Sequence, residues 1–419
     1  MESSPKIAIV GFSARAAVQC AKRQGFNVIA VDLCSDRDLL NDCQKHYQLN
    51  DPNWPLALSA IHPNVPILFT GGMENRIELV EQCQTNGLVS TPNASSLRAM
   101  RSLDNWAAWA VSCNLGWPAT LRTIDEIRSC DELFPGRKWL AKPFRSAGGI
   151  GITEWIRHGG DDPASFIDPA KGFLQERLPG ESIGVTFLSS NVGSAVVGAT
   201  ASWKSGSWKS EASCVDGPIY AYQGSYGPIS LSSELLAKLQ RFATLVKAES
   251  GLLGLWQADF LLHDNELTLL EINPRWSASM DLLDVCIGIP LVQIHHACVC
   301  DRIDEERFWH VSSQCLDQAK NTRNTMLGKL IIYSPKPFVV TSKQSDRLWT
   351  QRWSCGMNFA ARRFQFADIP NAGTSVSHGD PLLTVMASGC SQEALMIELQ
   401  RGRIGALDVL EEMRNFDLP

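Results

Sequence analysis

Residues 254–275 form a pair of apolar runs on either side of a short polar turn: Gly254-Leu-Trp-Gln-Ala-Asp259-Phe-Leu-Leu-His-Asp-Asn-Glu-Leu-Thr-Leu-Leu-Glu271-Ile-Asn273-Pro-Arg275. This pattern predicts a β-hairpin. Each predicted strand carries a carboxylate inside its apolar run, and burying a carboxylate without a partner is costly. A bound cation is therefore a natural explanation for Asp259 and Glu271.

The spacing of the hairpin decides whether its polar side chains can meet. Glu271 and Asn273 are two residues apart, so they share one face of a strand. If the turn is centred on Asn265, Asp259 lies directly opposite Glu271, because each is six residues from the centre. A two-residue turn at 264–265 would shift this pairing by one position, so convergence requires an odd loop or a β-bulge.

The ligand types in this hairpin indicate which cation it would hold. Asp259, Glu271 and Asn273 offer only oxygen ligands, which suits Mg²⁺ that also keeps waters and nucleotide phosphates in its coordination shell. Arg275, just beyond the hairpin, could bind a γ-phosphate or a developing oxyanion. A hairpin whose carboxylates are only salt-bridged is the structural alternative at this point.

Upstream, a strand carries a lysine into a glycine-rich turn, Trp139-Leu-Ala-Lys142-Pro-Phe-Arg-Ser146-Ala-Gly148-Gly149-Ile-Gly151. Glycines let the backbone approach an anion closely, so that its N–H groups can surround phosphate oxygens while Lys142 adds a positive charge. The turn is not a Walker loop, because no Gly-Lys-Ser/Thr sequence closes it. Taken alone, an ordinary hairpin also explains this stretch.

Between these segments lies Phe173-Leu-Gln175-Glu176-Arg177-Leu178-Pro-Gly180-Glu181, an apolar strand followed by a short linker. The edge of such a strand can offer backbone N–H and C=O groups to adenine, and Glu181 can accept hydrogen bonds from ribose hydroxyls. A buried strand that ends in a turn is the simpler interpretation of this segment in isolation.

Taken in order, the three segments resemble the motifs of the ATP-grasp superfamily of carboxylate-amine ligases over about residues 100 to 300. The resemblance implies ATP and Mg²⁺ as cofactors, and it makes Lys142 and Arg275 the candidate catalytic residues. It implies phosphate contacts for Lys142, Ser146, Gly148 and Gly149, adenine contacts for Gln175, Glu176, Arg177 and Leu178, a ribose contact for Glu181, and magnesium ligands at Asp259, Glu271 and Asn273. The family's second phosphate-contacting lysine has no clear match, and Lys138 is the candidate.

Other segments carry a narrower signal: Gly11-Phe-Ser13-Ala-Arg15, Asp32 with Asp36-Arg-Asp38, Thr70-Gly-Gly-Met-Glu74-Asn75, and Ala367-Asp-Ile-Pro with the later Gly379-Asp-Pro. They resemble ATP-grasp proteins associated with tetrahydromethanopterin biosynthesis in bacterial one-carbon metabolism. This likeness implies ligation of an amino acid such as glutamate to a cofactor precursor. The candidate substrate contacts are Ser13, Arg15, Glu74 and Asn75.

The order of strand and helix patterns divides the chain into three parts. Strands and helices alternate over residues 1–95, which predicts a Rossmann-like domain with a parallel sheet. Residues 96–318 are expected to form the two-subdomain ATP-grasp fold, and 319–419 a small β-rich domain that ends in a helix. The expected fold class is therefore α/β plus α+β. Within the second part, residues 202–230 are rich in Ser, Gly and Tyr and are a candidate lid.

The composition is that of an ordinary folded protein. The 419 residues include 44% hydrophobic and 20% charged residues and carry a formal net charge of −6. This balance argues against nucleic acid or an anionic membrane as the main partner. The N-terminal sequence has no signal-peptide pattern, no apolar run approaches a membrane span, and the 13 cysteines contain no CxxC pair. We therefore expect a cytoplasmic protein with reduced thiols.

Several rival interpretations rest on weaker patterns. Gly11 and Asp32 are spaced like parts of a dinucleotide site, but two of the three glycines are missing. Gly180-Glu-Ser182-Ile-Gly184 matches a hydrolase nucleophile elbow, which requires a helix after the serine, whereas the following residues are strand-like.

The His and Cys residues at 295–300 suggest zinc, yet only His296 and Cys300 would share a helix face. Trp203 and Trp208 could clamp an aromatic substrate or simply fill apolar space.

The expected reaction joins a small-molecule carboxylate to an amine through an acylphosphate, with release of ADP and phosphate. A regulatory protein that binds ATP without turnover is the alternative, as is an amino-acid ligase of another pathway. The expected partners are these small molecules, and a homodimer is the assembly that we expect.

Overall fold

The computed structural model describes residues 4–130, 134–155, 168–203, 218–321, 326–353 and 363–411. Its strands form sheets of five, eight, four and two members within those ranges. Residues 204–217 of the candidate lid, which include Trp208, lie outside the described residues.

The first part of the chain forms a five-stranded parallel sheet covered by helices. Its strands are β1 (Lys6–Val10), β2 (Asn27–Asp32), β3 (Lys45–Gln48), β4 (Pro66–Phe69) and β5 (Val89–Thr91), and its helices are α1 (Arg15–Arg23), α2 (Arg37–Asp42), α3 (Trp54–Ile61), α4 (Ile77–Thr85) and α5 (Ala94–Met100). The strand order is β3-β2-β1-β4-β5, with parallel pairing throughout. The apolar strands are buried on both faces, as such a sheet requires, and the expected parallel sheet is confirmed.

The loops that follow β1 and β4 approach each other closely at the carboxyl ends of these strands. A Cβ atom at Gly11 would lie 2.0 Å from Thr70 Oγ1, so only glycine fits at this position. This contact brings the 11–15 and 70–75 loops together at the point where the strand order reverses, which is where open α/β sheets usually bind ligands.

A small antiparallel sheet follows in the second part of the chain. Helices α6 (Leu103–Ser112) and α7 (Ile124–Arg128) accompany the strands β6 (Thr120–Leu121), β7 (Trp139–Pro143), β8 (Thr153–Trp155) and β9 (Gly172–Glu176). The strand order is β6-β9-β7-β8. The sheet therefore places the lysine strand β7 beside β9, which leads into the 177–181 linker.

The largest sheet has eight strands and continues across residues 318 and 319, where the sequence predicts a domain boundary. Its members are β10 (Glu181–Ser189), β11 (Ser194–Ser202), β12 (Ser225–Ile229), β13 (Gly254–His263), β14 (Glu266–Asn273), β15 (Met326–Tyr333), β17 (Phe364–Ala367) and β19 (Pro381–Gly389). Their order is β14-β13-β10-β11-β12-β15-β19-β17. The C-terminal strands thus share one sheet with the central part, and β16 (Phe338–Val339) pairs with β18 (Ser375–Val376).

Six further helices pack around this sheet: α8 (Ser233–Ser250), α9 (Met280–Ile287), α10 (Leu291–Val299), α11 (Glu305–Asn321), α12 (Ser342–Trp349) and α13 (Gln392–Glu411). The main core lies between α8 and the central strands, where the rings of Phe187 and Trp256 stack at 4.2 Å between centroids. Phe242 of α8 meets Phe260 of β13 edge to face at 5.8 Å. These contacts hold the predicted hairpin rigidly on its apolar side.

The backbone excludes one rival interpretation and bears on another. Ser182 lies within strand β10, so the helix that a nucleophile elbow needs is absent after it. The residues considered for zinc lie on and just after α10, where the ring of His295 is buried and its Nδ1 accepts a hydrogen bond from the backbone N–H of Leu255 at 2.9 Å. His295 is therefore part of the core packing.

The described helices were also compared with the length of a membrane span. None of them alone is long and apolar enough to cross a bilayer, although α9 and α10, which meet at a bend of 108°, reach the required length and composition only as a pair.

The pH dependence of stability should report on His295. Burial lowers the pKa of this imidazole to about 3, below its ordinary value of 6.5. As the pH falls, His295 takes up a proton in the unfolded chain before it does so in the folded protein. The contribution of the neutral, buried imidazole to folding stability is therefore complete above about pH 6.5 and is lost progressively as the pH falls towards 3. Between pH 7 and pH 5, the free energy of unfolding of the wild type should fall by about 2 kcal/mol more than that of His295→Gln. Urea unfolding at the two pH values measures this difference.

A matched control is His263→Gln, since the side chain of His263 is 57% exposed. This variant should follow the wild-type pH profile. A His295→Gln profile parallel to that of the wild type would contradict the role given to burial.

Candidate active site

The turn of the hairpin alone would separate its two carboxylates. Strands β13 and β14 are joined by a two-residue turn, Asp264 and Asn265, with φ angles of 48° and 59° that are typical of a type I′ turn. Continued pairing in that register would place Asp259 opposite Leu270.

A β-bulge in the hairpin restores the pairing that the site needs. The register shifts between Asp259 and Phe260, so Phe260 pairs with Leu269 while Asp259 pairs with Glu271. Leu270 is the extra residue. The condition derived from the sequence, an odd loop or a bulge, is therefore met by the bulge.

Hydrogen bonds draw the third predicted ligand into the same cluster. The Nδ2 atom of Asn273 donates to Asp259 Oδ2 at 2.8 Å and to Glu271 Oε1 at 3.3 Å. Gln257 donates through Nε2 to Asp259 Oδ1 at 2.7 Å, and Ser279 in turn donates to Gln257 Oε1 at 3.0 Å. The structure thus brings together all three predicted metal ligands and adds Gln257, which the sequence analysis missed.

The two carboxylates of the cluster ionise very differently. Burial, with the neighbouring charge of Glu271, raises the pKa of Asp259 to about 8. Burial also acts to raise the pKa of Glu271, but the positive charges of Arg101 and Lys142 hold it below its ordinary value. At neutral pH the pair therefore shares a proton, and a cation placed between the carboxylates would replace it.

Lys142 links the glycine turn to the hairpin electrostatically. It lies on β7, and its Nζ donates to Gln175 Oε1 at 2.6 Å. Burial lowers its pKa, while the charges of Glu271 and Asp259 act in the opposite direction. Gln175 is itself buried and also donates to Thr120 Oγ1 at 3.3 Å, so its side chain orients Lys142.

The glycine turn uses its glycines for conformation and for close contact. Gly148, Gly149 and Gly151 have φ angles of 61°, 75° and 83°. The carbonyl oxygen of Gly148 accepts a hydrogen bond from the backbone N–H of Tyr222 at 2.9 Å, and a Cβ atom at Gly149 would lie 1.9 Å from Tyr220 O. The turn is therefore in contact with the C-terminal end of the candidate lid.

The linker after β9 is held by pairs of charged and polar groups. Glu176 lies 2.6 Å from Arg137, and Arg177 lies 2.7 Å from Glu154. Glu181 accepts a hydrogen bond from the hydroxyl of Tyr226 at 2.7 Å. Leu178 is half-buried. These contacts place the predicted adenine and ribose residues on one continuous strand-linker-strand segment.

The first part of the chain contributes an acidic residue to the site. Glu74 accepts hydrogen bonds on Oε1 from Arg275 Nη2 at 3.0 Å and Nε at 3.3 Å. The same guanidinium donates to Asn273 Oδ1 at 2.9 Å and to Ser277 Oγ at 2.7 Å. Glu74 and Arg275 are 201 residues apart in the sequence, so their pairing joins the parallel-sheet part to the hairpin.

Asn75 is hydrogen-bonded to the glycine turn and also to Arg101, a basic residue that the sequence analysis missed. Its Nδ2 donates to the carbonyl oxygen of Ser146 at 2.9 Å, and Arg101 donates to Asn75 Oδ1 at 3.2 Å and to Phe144 O at 3.1 Å. No motif marks Arg101, which follows α5 as a single arginine.

The other two candidate substrate contacts lie in different surroundings. Arg15 is buried and forms a bidentate pair with Asp368 at 2.8 and 3.0 Å. Asp38 completes this junction by accepting the backbone N–H groups of Asp368 and Ile369, both at 3.0 Å. Ser13 is exposed on the adjacent loop. Arg15 thus serves to join the first and last parts of the chain.

The residues present fit a hard divalent cation. No group of three or more His, Cys, Asp and Glu side chains in the described ranges has the arrangement of a metal site. The candidate instead consists of two facing carboxylates, Asp259 and Glu271, and the amide of Asn273. Oxygen ligands this few suit Mg²⁺, which takes its remaining ligands from water and phosphate.

Known proteins of similar sequence match only short parts of the chain. The large chain of carbamoyl phosphate synthase from Helicobacter pylori is 34% identical over 67 residues, which is 16% of this chain and 6% of that protein. The counterpart from Neisseria meningitidis is 29% identical over 75 residues, or 18% and 7%. The chain therefore spans less than a tenth of the curated relatives that it matches.

Similar solved structures cover nearly the whole chain at low identity. N5-carboxyaminoimidazole ribonucleotide synthetase from Thermotoga maritima has a TM-score of 0.62 at 12% identity and covers 96% of this chain and 98% of its own. The L-amino acid ligase from Bacillus licheniformis scores 0.64 at 13% identity, with 97% and 98% covered. Pyruvate carboxylase from Rhizobium etli scores 0.68 at 14%, with 95% of this chain but 37% of that protein covered.

These likenesses show a shared fold, and the family model locates the domain that defines it. The match extends over residues 116–279 and ends just after the hairpin with Asp259, Glu271 and Asn273. The family that this model describes is the ATP-grasp domain, which residues 116–279 of the chain match.

Proposed function

We propose that the chain is an ATP-dependent carboxylate-amine ligase that acts through an acylphosphate and releases ADP and phosphate. The observation that carries the proposal is the bulged hairpin, which sets Asp259 against Glu271 and Asn273, within the electrostatic influence of Lys142. Such a cluster is costly to bury unless it serves to hold a cation.

Each residue of the site has a defined part in this proposal. Asp259, Glu271 and Asn273 would hold Mg²⁺, which when bound would neutralise charge on the nucleotide phosphates. Lys142 would contact the nucleotide phosphates, and Ser146, Gly148 and Gly149 would offer them backbone N–H groups. The segment from Gln175 to Leu178 would contact adenine, and Glu181 would contact the ribose.

The chemistry proceeds in two displacements. A carboxylate oxygen of the substrate attacks the γ-phosphorus and ADP leaves, which gives an acylphosphate. An amine nitrogen then attacks the acyl carbon, phosphate leaves, and one proton is released overall when the amine enters as an ammonium ion. Arg275 stabilises the oxyanion that develops at the acyl carbon.

The substrate side of the site is assigned to the first part of the chain. Glu74 accepts hydrogen bonds from Arg275, Asn75 follows Glu74 in the chain, and Ser13 lies on the neighbouring 11–15 loop. The narrower proposal is that an amino acid such as glutamate is joined to a precursor of a tetrahydromethanopterin-type cofactor in one-carbon metabolism. Its support is the set of sequence motifs around residues 11–15, 32–38 and 70–75.

We further propose a homodimer, which light scattering would test.

Product analysis tests the reaction class. The protein is incubated with ATP, magnesium and a panel of carboxylates and amino acids, and ADP is measured against AMP. ADP release that depends on both co-substrates is the expected result. AMP release would contradict acylphosphate chemistry, and tight nucleotide binding without turnover would favour the regulatory alternative.

Asp259→Asn should weaken the binding of Mn²⁺, used as a spectroscopic substitute for Mg²⁺, by at least about tenfold. The change replaces the carboxylate with a neutral amide of the same shape, so the cluster loses a ligand oxygen that can carry negative charge. Electron paramagnetic resonance of free Mn²⁺ measures the affinity, and urea unfolding checks that the variant is folded.

Glu266→Gln is the matched control, because Glu266 lies at the exposed end of the same hairpin. It should leave Mn²⁺ affinity unchanged. Equal affinities for Asp259→Asn and the control would remove the main support for the metal site.

Gly149→Ala should lower ATP affinity more than Gly148→Ala. Both positions have positive φ, but the added Cβ would lie 1.9 Å from Tyr220 O at Gly149 and no closer than 3.9 Å to any neighbour at Gly148. The difference isolates the contact between the glycine turn and the 218–222 segment. Equilibrium dialysis of labelled ATP would show it, and equal losses in the two variants would argue against a phosphate loop that closes on this segment.

A further inference from the structure

The amide of Asn273 is held from both sides by groups of opposite hydrogen-bonding character. Its Nδ2 faces Asp259 and Glu271 at 2.8 and 3.3 Å, and its Oδ1 accepts from Arg275 Nη2 at 2.9 Å. A carboxylate accepts hydrogen bonds, whereas a guanidinium can only donate them. Only one orientation of the amide satisfies both sides, and it directs nitrogen towards the two carboxylates.

Coordination of a cation requires the opposite orientation. A divalent cation between Asp259 and Glu271 would be bound by the oxygen of Asn273, so the amide would have to turn by half a rotation about its terminal bond. Its NH2 group would then face Arg275. Two donors cannot bond to each other, so the Arg275 to Asn273 hydrogen bond would be lost.

Arg275 has a second acidic partner that does not depend on this amide. Glu74 already receives Nη2 and Nε of Arg275 on Oε1, at 3.0 and 3.3 Å. The Glu74 carboxylate is buried, and its Oε2 has no hydrogen-bond partner in the described part of the protein. Glu74 therefore has an unused acceptor beside the guanidinium of Arg275. Its buried negative charge also attracts that guanidinium strongly.

Resting on the proposed function, we propose that a divalent cation and Arg275 compete for the side-chain oxygen of Asn273, and that Glu74 is the positioning residue that retains Arg275 when the cation takes that oxygen. Cation binding in the hairpin is then linked to the first part of the chain through one guanidinium.

The link has a chemical consequence for the reaction order. While Asn273 and Glu74 share Arg275, both side chains accept hydrogen bonds from its Nη2, which is therefore occupied. Once Asn273 turns, the donors that it no longer occupies can serve a phosphate or the developing oxyanion, while Glu74 limits how far the guanidinium moves. Arg275 thus becomes available only when the metal site is filled.

The test compares Mn²⁺ affinity in two variants that each remove one positive charge near Glu271. Arg275→Met removes the competing donor together with its charge, whereas Arg101→Met removes a charge that also acts on Glu271 but has no hydrogen bond to Asn273. Mn²⁺ binding is measured by electron paramagnetic resonance with saturating ADP, which has no γ-phosphate for Arg275 to contact. We expect Arg275→Met to tighten Mn²⁺ binding about tenfold and Arg101→Met about twofold.

Removal of the amide should abolish this difference. In an Asn273→Ala background, where Mn²⁺ binds more weakly, the Arg275→Met and Arg101→Met changes should have equal effects. Glu74→Gln should weaken Mn²⁺ binding in the wild type, because Arg275 then depends more on Asn273, and should have a clearly smaller effect in the Arg275→Met background. A residue that merely stabilises the fold would not show this dependence on its partner.

Equal effects of the two arginine variants in the wild type, or a difference that persists without the amide, would overturn the competition. Arg275→Gln is the second variant should Arg275→Met fail to fold, because a glutamine amide can accept from the turned Asn273 and tightening is again expected. Failure of the wild type itself to bind ADP and Mn²⁺ would instead contradict the proposed function.

Discussion

The pairing of Asp259 with Glu271 is the constraint on which the rest of the site depends. Two carboxylates face each other across neighbouring strands, and burial, together with the smaller repulsion from Glu271, raises the pKa of Asp259 to about 8. Positive charges and hydrogen-bond donors surround this pair. Lys142 and Arg101 act electrostatically on Glu271, and the amides of Gln257 and Asn273 donate hydrogen bonds to the carboxylates. The surrounding elements are arranged to make this one unfavourable contact tolerable.

The local parts of this arrangement are readable from the sequence, and the non-local parts are not. Alternating strand and helix patterns predicted the parallel sheet, and two apolar runs around a polar turn predicted the hairpin, because both depend on short-range periodicity. The bulge depends on packing instead, since Phe260 and Leu269 must both face the core beside Phe242, and no local pattern encodes that requirement. The spacing of Asp259 and Glu271 in the sequence could show only that an odd loop or a bulge was required.

Tertiary contacts explain what else the sequence could not supply. Glu74 was singled out by a motif, but its partner Arg275 lies 201 residues away. Arg101 belongs to no motif and acts on Glu271 only because the fold brings them together. Arg15 is the converse case, a motif residue whose neighbours turned out to be Asp368 and Asp38. In each case the residue type was visible, and its role follows from what the folded chain places beside it.

The Arg15 to Asp368 pair also constrains how the chain can be made. These residues are 353 positions apart, and a ribosome synthesises the chain from its N-terminus. The parallel sheet is complete by Thr91, yet Asp368, which forms the bidentate pair with Arg15, is synthesised much later. During that interval Asp38, whose carboxylate lies 3.8 Å from the guanidinium in the folded chain, is the nearby acidic residue already present. This sheet can therefore reach its final energy only after residue 368 has been synthesised.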